Sequence, residues 1–128
     1  MTKPQLLVVD DEPALANLVG EVGELAGFEV YVTNSALEFQ EIWASCKPDV
    51  VIMDLVMPDI EGVELLSWLA ERNCCAPIIL MSGYDGRYLE VAREFGVAIG
   101  NKIFGDLTKP FMIDDLEKML KDALQAPG

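Results

Sequence analysis

Val50-Val51-Ile52-Met53-Asp54-Leu55-Val56-Met57-Pro58 begins with four apolar residues and sets a carboxylate where that run stops. A short run with no polar residue reads as a strand covered on both faces, as in the interior of a parallel sheet. Two more runs repeat the arrangement: Leu6 to Val9 is closed by Asp10-Asp11, and Ile78 to Met81 by Ser82-Gly83. Phe28-Glu29-Val30-Tyr31-Val32 carries a charge inside a β-rich run, and Ile103 to Thr108 contains Gly105 and Asp106. Both read as edge strands. Between the strands the apolar spacing becomes helical. The stripes are Leu15, Leu18, Val19, Val22 and Leu25; Phe39, Ile42, Trp43 and Cys46; Leu65, Leu66 and Leu69; Tyr88, Val91, Ala92 and Phe95; and Ile113, Leu116, Met119, Leu120 and Ala123. Five strands alternating with five helices through right-handed crossovers give an α/β, doubly wound (βα)5 parallel sheet. The order 2-1-3-4-5 puts the polar second and fifth strands at the edges. Gly20 and Gly23 inside the first helix each cost about 1 kcal/mol relative to Ala, which predicts close packing there.

At 128 residues the chain fits one domain, 1–128, with 122–128 as a tail or the start of a linker. No internal repeat or low-complexity stretch interrupts it. Nine basic against 22 acidic residues give a formal charge of −13, which disfavours direct contact with nucleic acid or an anionic membrane. Histidine is absent, which removes Ser-His-Asp and Cys-His chemistry, His-ligated metals and a histidine proton shuttle. Cys46, Cys74 and Cys75 are odd in number and two are adjacent, unlike a secreted disulfide framework. The apolar stretch near the N-terminus is too short for a signal sequence or a membrane span. A soluble, cytoplasmic chain is expected. Nucleotide-binding glycine loops, the nucleophile elbow and Cys-x-x-Cys pairs are all missing.

Open α/β sheets bind ligands beyond the carboxyl ends of their strands, where the strand order reverses. Those ends carry Asp10 and Asp11, Asp54, Ser82 and Lys109. Two carboxylates about 4 Å apart repel by about 4 kcal/mol at an effective dielectric near 20. Three therefore need more than one lysine to stay ionised, and a divalent ion completes the balance. An all-oxygen set favours Mg²⁺, Mn²⁺ or Ca²⁺ over zinc, and Mg²⁺ commonly shares its site with a phosphoryl group. A carboxylate there can act as nucleophile and form an acyl phosphate. Taken alone, Asp10-Asp11 before Pro13 could equally cap a helix, Ser82-Gly83 could be a turn and Lys109 a solvated surface residue. Asp54 at the end of a buried strand is harder to explain structurally, because an unpaired carboxylate there is costly to desolvate.

The series Val-Val-Asp10-Asp11-Glu12, Asp54-Leu-Val-Met57-Pro58-Asp59-Ile-Glu-Gly62, Ser82-Gly83 and Lys109-Pro110-Phe111 resembles the receiver domains of bacterial two-component response regulators. The resemblance covers nearly the whole chain, and four short motifs in order, each closing an expected strand, make it specific. It implies the flavodoxin-like receiver fold. The 2-1-3-4-5 order is a known property of that fold and so carries no independent weight. It also implies that Asp54 accepts a phosphoryl group from a phosphohistidine on a sensor histidine kinase or phosphotransfer protein. Asp10, Asp11, Asp54 and the Val56 backbone carbonyl would hold Mg²⁺, with Mn²⁺ as the alternative. Ser82 would bond the phosphoryl oxygen, Lys109 would pair with it, and the Lys109-Pro110 bond would be cis. The output would be a partner domain or protein, or a homodimer through helix 4, strand 5 and helix 5. On this reading the chain is no enzyme beyond its own phosphorylation and dephosphorylation.

Departures from the pattern carry expectations of their own. Many receivers have Tyr or Phe three residues before the lysine, where this chain has Asp106, and Phe104 is a candidate substitute if the strand is regular. The segment from Ser82 to Lys109 is several residues longer than is common, with Gly96, Gly100 and Gly105 in it. Val56 and Tyr84 are placed to shield an acyl phosphate from water. Two other functions compete. One is an adaptor that works without phosphorylation. The other is an aspartyl-nucleophile phosphohydrolase, which usually has a second Asp where this chain has Val56. Cys74-Cys75 reads as a loop pair, and Trp43 and Trp68 as packed or half-packed on their helices.

Overall fold

A computed structural model describes residues 3–57, 60–83 and 86–126. The strands are β1 (Gln5–Val9), β2 (Glu29–Thr33), β3 (Val50–Asp54), β4 (Ile78–Ser82) and β5 (Ile103–Thr108). They alternate with α1 (Pro13–Leu25), α2 (Ala36–Cys46), α3 (Gly62–Glu71), α4 (Gly86–Ile99) and α5 (Ile113–Leu124). All neighbouring strands pair in parallel, in the order β2-β1-β3-β4-β5. The expected fold class is borne out, with β2 and β5 at the edges.

Strand alternation divides the core into two layers. Leu7, Val9, Val51, Met53, Ile78 and Leu80 face the side packed by α2, α3 and α4. Leu6, Val8, Val50, Ile52, Ile79 and Met81 face α1 and α5. Every residue of β3 and β4 is buried, as their unbroken apolar runs require. Trp43 and Trp68 are half-buried and meet edge to face, with ring centroids 6.0 Å apart. Cys74 and Cys75 lie in the loop between α3 and β4.

Two helices present a different face from the one their leucines and aromatics suggest. A Cβ on Gly23 would stand 2.6 Å from Leu6, and one on Gly20 would stand 2.8 Å from Val32. The close approach expected at both glycines is therefore present. It turns Ala16, Val19, Gly20, Val22 and Gly23 inward and leaves Leu25 77% exposed. Leu15 and Leu18 turn toward the cleft at the strand ends. In α4 the buried face is Leu89, Ala92 and Gly96, with Tyr88 of the expected stripe half-buried against the same core, while Val91 is 58% exposed and Phe95 is also exposed. Small residues set the packing distance in both helices, and a hydrophobicity count passes over them. In α5 the inner face is Leu116, Leu120 and Ala123, and Ile113 is exposed.

α1 ends in a Schellman turn: Gly27 takes φ 99°, its N–H reaches the Glu24 carbonyl, and the Phe28 N–H reaches that of Gly23. At the start of α3, Gly62 donates its N–H to the Leu55 carbonyl at 3.0 Å. A Cβ on Gly62 would lie 2.8 Å from both Cα and O of Leu55, and backbone cannot yield as a side-chain tip can. Gly62→Ala is therefore expected to destabilise the domain by about 2 kcal/mol through overpacking. Urea unfolding measures this, and a loss below about 0.5 kcal/mol, the scatter of neutral surface changes, would show that the turn has room for a side chain.

Candidate functional site

The chain reverses its direction across the sheet between β1 and β3, and the polar residues collect at the carboxyl end of that junction. β1 and β3 are in register at Val9 and Met53, so Asp10 follows beside Asp54. Both are buried, Asp10 fully. Lys109 comes in from beyond β5, where its N–H bonds to the Ser82 carbonyl at 2.8 Å, and the Lys109-Pro110 bond is cis as expected. Its Nζ donates to Asp10 Oδ2 at 3.0 Å and to Asp54 Oδ2 at 3.1 Å. The remaining oxygens are held by backbone: Glu12 N–H donates to Asp10 Oδ1 at 2.9 Å, and Val56 N–H to Asp54 Oδ1 at 3.1 Å. Asp10 thus ties the turn before α1. The helix itself starts at Pro13 behind Glu12, which makes no side-chain cap.

Asp11 is exposed, yet one oxygen from each of Asp10, Asp11 and Asp54 lies within 4.8 Å of the others. Hard carboxylate oxygens at that spacing suit a divalent cation such as Mg²⁺. Asp11 and Asp54 line a cleft of ≈ 660 Å³ that also reaches Ser82 and Lys109, with Asp10 buried behind them. Leu15, Leu18, Val56, Tyr88 and Phe111 give the cleft an apolar rim. Ser82 is buried, whereas Val56 is 60% exposed. Tyr84, Pro58 and Asp59 lie outside the described residues.

Burial raises the Asp54 carboxyl above the usual aspartate value, and Asp10 adds to the rise; the Val56 N–H and Lys109 only partly offset it. At Lys109 burial pulls the ammonium down, but the hydrogen bonds and charges of Asp10 and Asp54 together outweigh it. Its pKa ends above the ordinary lysine value.

Asp106 occupies the position where many receivers carry an aromatic ring, and it forms an ion pair with Arg93 of α4. Phe104 does not take over that place by regular alternation. The register steps from Ile78 opposite Ile103 to Ile79 opposite Gly105, so Phe104 is the extra residue of a bulge and is 36% exposed. Gly105 sits at this irregularity with the Met119 sulfur 3.2 Å from where its Cβ would be. Sequence reading also passed over the end of β2. Thr33 Oγ1 donates to the Val8 carbonyl at 2.6 Å, and Asn34 Nδ2 to the Asp10 carbonyl at 3.1 Å. Two polar residues closing the strand beside β1 were the available signal.

A family model described as the response regulator receiver domain matches residues 6–121. The chain belongs to that family. Its receiver sequence is 32% identical over 121 residues to the regulatory protein AtoC of Escherichia coli. It is 35% identical over 123 residues to the C4-dicarboxylate transport transcriptional regulatory protein DctD of Pseudomonas aeruginosa. Each match covers 94% of this chain but 25% of the regulator. Among solved structures, a response regulator from Colwellia psychrerythraea superposes with a TM-score of 0.81 at 29% identity, covering 95% of this chain and 97% of that one. The receiver also has no described helix long and apolar enough to cross a membrane.

Proton linkage gives the site a signature without metal. Between the ordinary aspartate value and its own raised one, the folded receiver keeps a proton on Asp54 that the unfolded chain has released. Stability from this group therefore falls as pH rises through that window. Asp54→Asn should remove this component, so that in chelator the variant gains on the wild type from acid to neutral pH. Urea unfolding of both proteins across that range tests it; a difference that stays flat, or moves the other way, contradicts the raised value.

Proposed function

We propose that the domain is a phosphoacceptor switch: Asp54 takes a phosphoryl group from the phosphohistidine of a sensor histidine kinase or phosphotransfer protein. The observation that carries this reading is the grouping of Asp54 with Asp10 and Asp11 at an open cleft, with Lys109 bonded to Asp10 and Asp54. An oxygen of Asp54 attacks phosphorus in line, the bond from phosphorus to the donor nitrogen breaks, and the imidazole leaves with the electron pair. Mg²⁺, held by Asp10, Asp11, Asp54 and the Val56 carbonyl, would supply charge neutralisation at the transferring oxygens. Mn²⁺ fits the same donors.

Lys109 is already charged and aimed at the carboxylate that reacts, so it can follow the negative charge onto the phosphoryl oxygens without prior reorganisation. Ser82, buried beside the cleft, supplies a hydroxyl donor to one of them. Val56 stands where a phosphohydrolase would carry its general acid and has no proton to give, which favours a stored acyl phosphate over turnover. Its exposed side chain lies at the cleft, placed to hinder water.

The output would pass through the α4, β5 and α5 face to a partner domain, a partner protein or a second copy, in the cytoplasm where the kinase delivers its phosphate. Asp106 in its ion pair with Arg93 favours one other reading, an adaptor whose binding ignores phosphorylation. Equal partner affinity with and without beryllofluoride would select it.

Treatment with acetyl phosphate and Mg²⁺ should add one phosphoryl group to the wild type by intact mass. Asp54→Asn should add none, and chelation of the metal should abolish the gain. An unmodified wild type, or an equal gain in the variant, would remove Asp54 from this role.

A further inference from the structure

Three consecutive peptide groups carry the Asp10-Asp11 ligand pair. The Asp10 N–H donates to the Thr33 carbonyl at 3.2 Å, which fixes the first. The Glu12 N–H donates to Asp10 Oδ1, which fixes the third. The middle group, between Asp10 and Asp11, is held through its carbonyl by the Asn34 side-chain amide at 3.1 Å. Asn34 is itself secured to the start of α2. Its N–H donates to Glu38 Oε1 at 2.8 Å, while the Glu38 N–H donates to Ser35 Oγ at 3.1 Å, a reciprocal arrangement close to a capping box.

The carboxylates differ in what fixes them. Asp10 and Asp54 are each held at both oxygens by Lys109 and a backbone N–H. Asp11 is exposed, and among the described residues its side chain has no hydrogen bond, so its approach to the other two depends on the backbone that carries it. The middle peptide is the one whose tilt moves Asp11 relative to Asp10.

We propose that Asn34 is a positioning residue for the divalent cation site, holding the Asp10-Asp11 peptide so that the Asp11 carboxylate stays within reach of the metal. The inference rests on the cation reading of the site. Partners that orient metal ligands typically contribute tenfold to hundredfold in affinity. Asn34→Ala should therefore bind Mg²⁺ about tenfold more weakly. Asn34→Leu, similar in shape and lacking the donor, should do the same and covers the case in which the alanine variant folds poorly.

The measurement is direct cation binding to the unphosphorylated full chain, by calorimetry with Mg²⁺ and by the resonance signal of free Mn²⁺. Thermal melting in chelator is recorded alongside. Thr33→Val is the control, because it deletes the neighbouring bond to the Val8 carbonyl and leaves the Asp10-Asp11 peptide alone. It should lower the melting temperature with Mg²⁺ affinity kept within about twofold, against the larger loss at Asn34. Near wild-type affinity in both Asn34 variants overturns the proposal while leaving the metal site standing. An equal loss in Thr33→Val also overturns it, since the effect would then be general loosening of the loop. A wild type that binds neither cation removes the metal reading and this inference together.

Discussion

Lys109 reaching both Asp10 and Asp54 is the contact on which the carboxyl end of the sheet depends. Two buried carboxylates on adjacent strands repel strongly in a medium of reduced dielectric, by about 4 kcal/mol at 4 Å when the effective value is 20. One ammonium bonded to both turns that repulsion into a closed set of charge-assisted bonds. Taking the lysine away would leave buried charge uncompensated, a loss of the order of 3–5 kcal/mol where such pairs are broken. Balance remains incomplete, because Asp11 adds a third carboxylate with no cation of its own among the described contacts. A site held together yet short of positive charge is suited to taking up a cation and releasing it.

The same arrangement explains why the fold can tolerate such a group at all. β3 and β4 are covered on both faces, so a polar side chain within either would be stranded without water or partners. At the strand ends the backbone N–H groups of Val56 and Glu12 bond the carboxylates. Gly62 approaches Leu55 closely, and the neighbouring Val56 N–H bonds Asp54. Packing limits and charge placement therefore act at one location.

Strand identity and the polar residues at the strand ends were legible because each follows from a local pattern. An unbroken apolar run marks an interior strand, and whatever closes it must lie at the rim. The helix faces were less so. Gly20 and Gly23 in α1 and Ala92 and Gly96 in α4 set the buried side by allowing close approach, which a reading weighted by hydrophobicity cannot see. The bulge at Phe104 was illegible for a related reason: it depends on the pairing with β4, and only Gly105 hinted at it. Asn34 escaped notice because its role is a contact between sequence-distant loops, formed only once β2 lies beside β1.

α4 is where these limits meet. Its inner face is Leu89, Ala92 and Gly96, with half-buried Tyr88 packed against the same core, while Val91, Phe95, Val97 and Ile99 are exposed. One side-chain tie to β5 is the Arg93 ion pair with Asp106, whose members are 49% and 23% exposed. Pairs of that kind contribute about 0–1 kcal/mol in water and less as salt rises. An aromatic ring at position 106 would have given burial in place of charge, and burial is not screened. A screened ion pair thus stands at this seam where a ring would be buried, so the contact between α4 and β5 draws less on apolar burial there. Asp106 therefore makes the contact between β5 and α4 a polar one, whose strength falls as ionic strength rises.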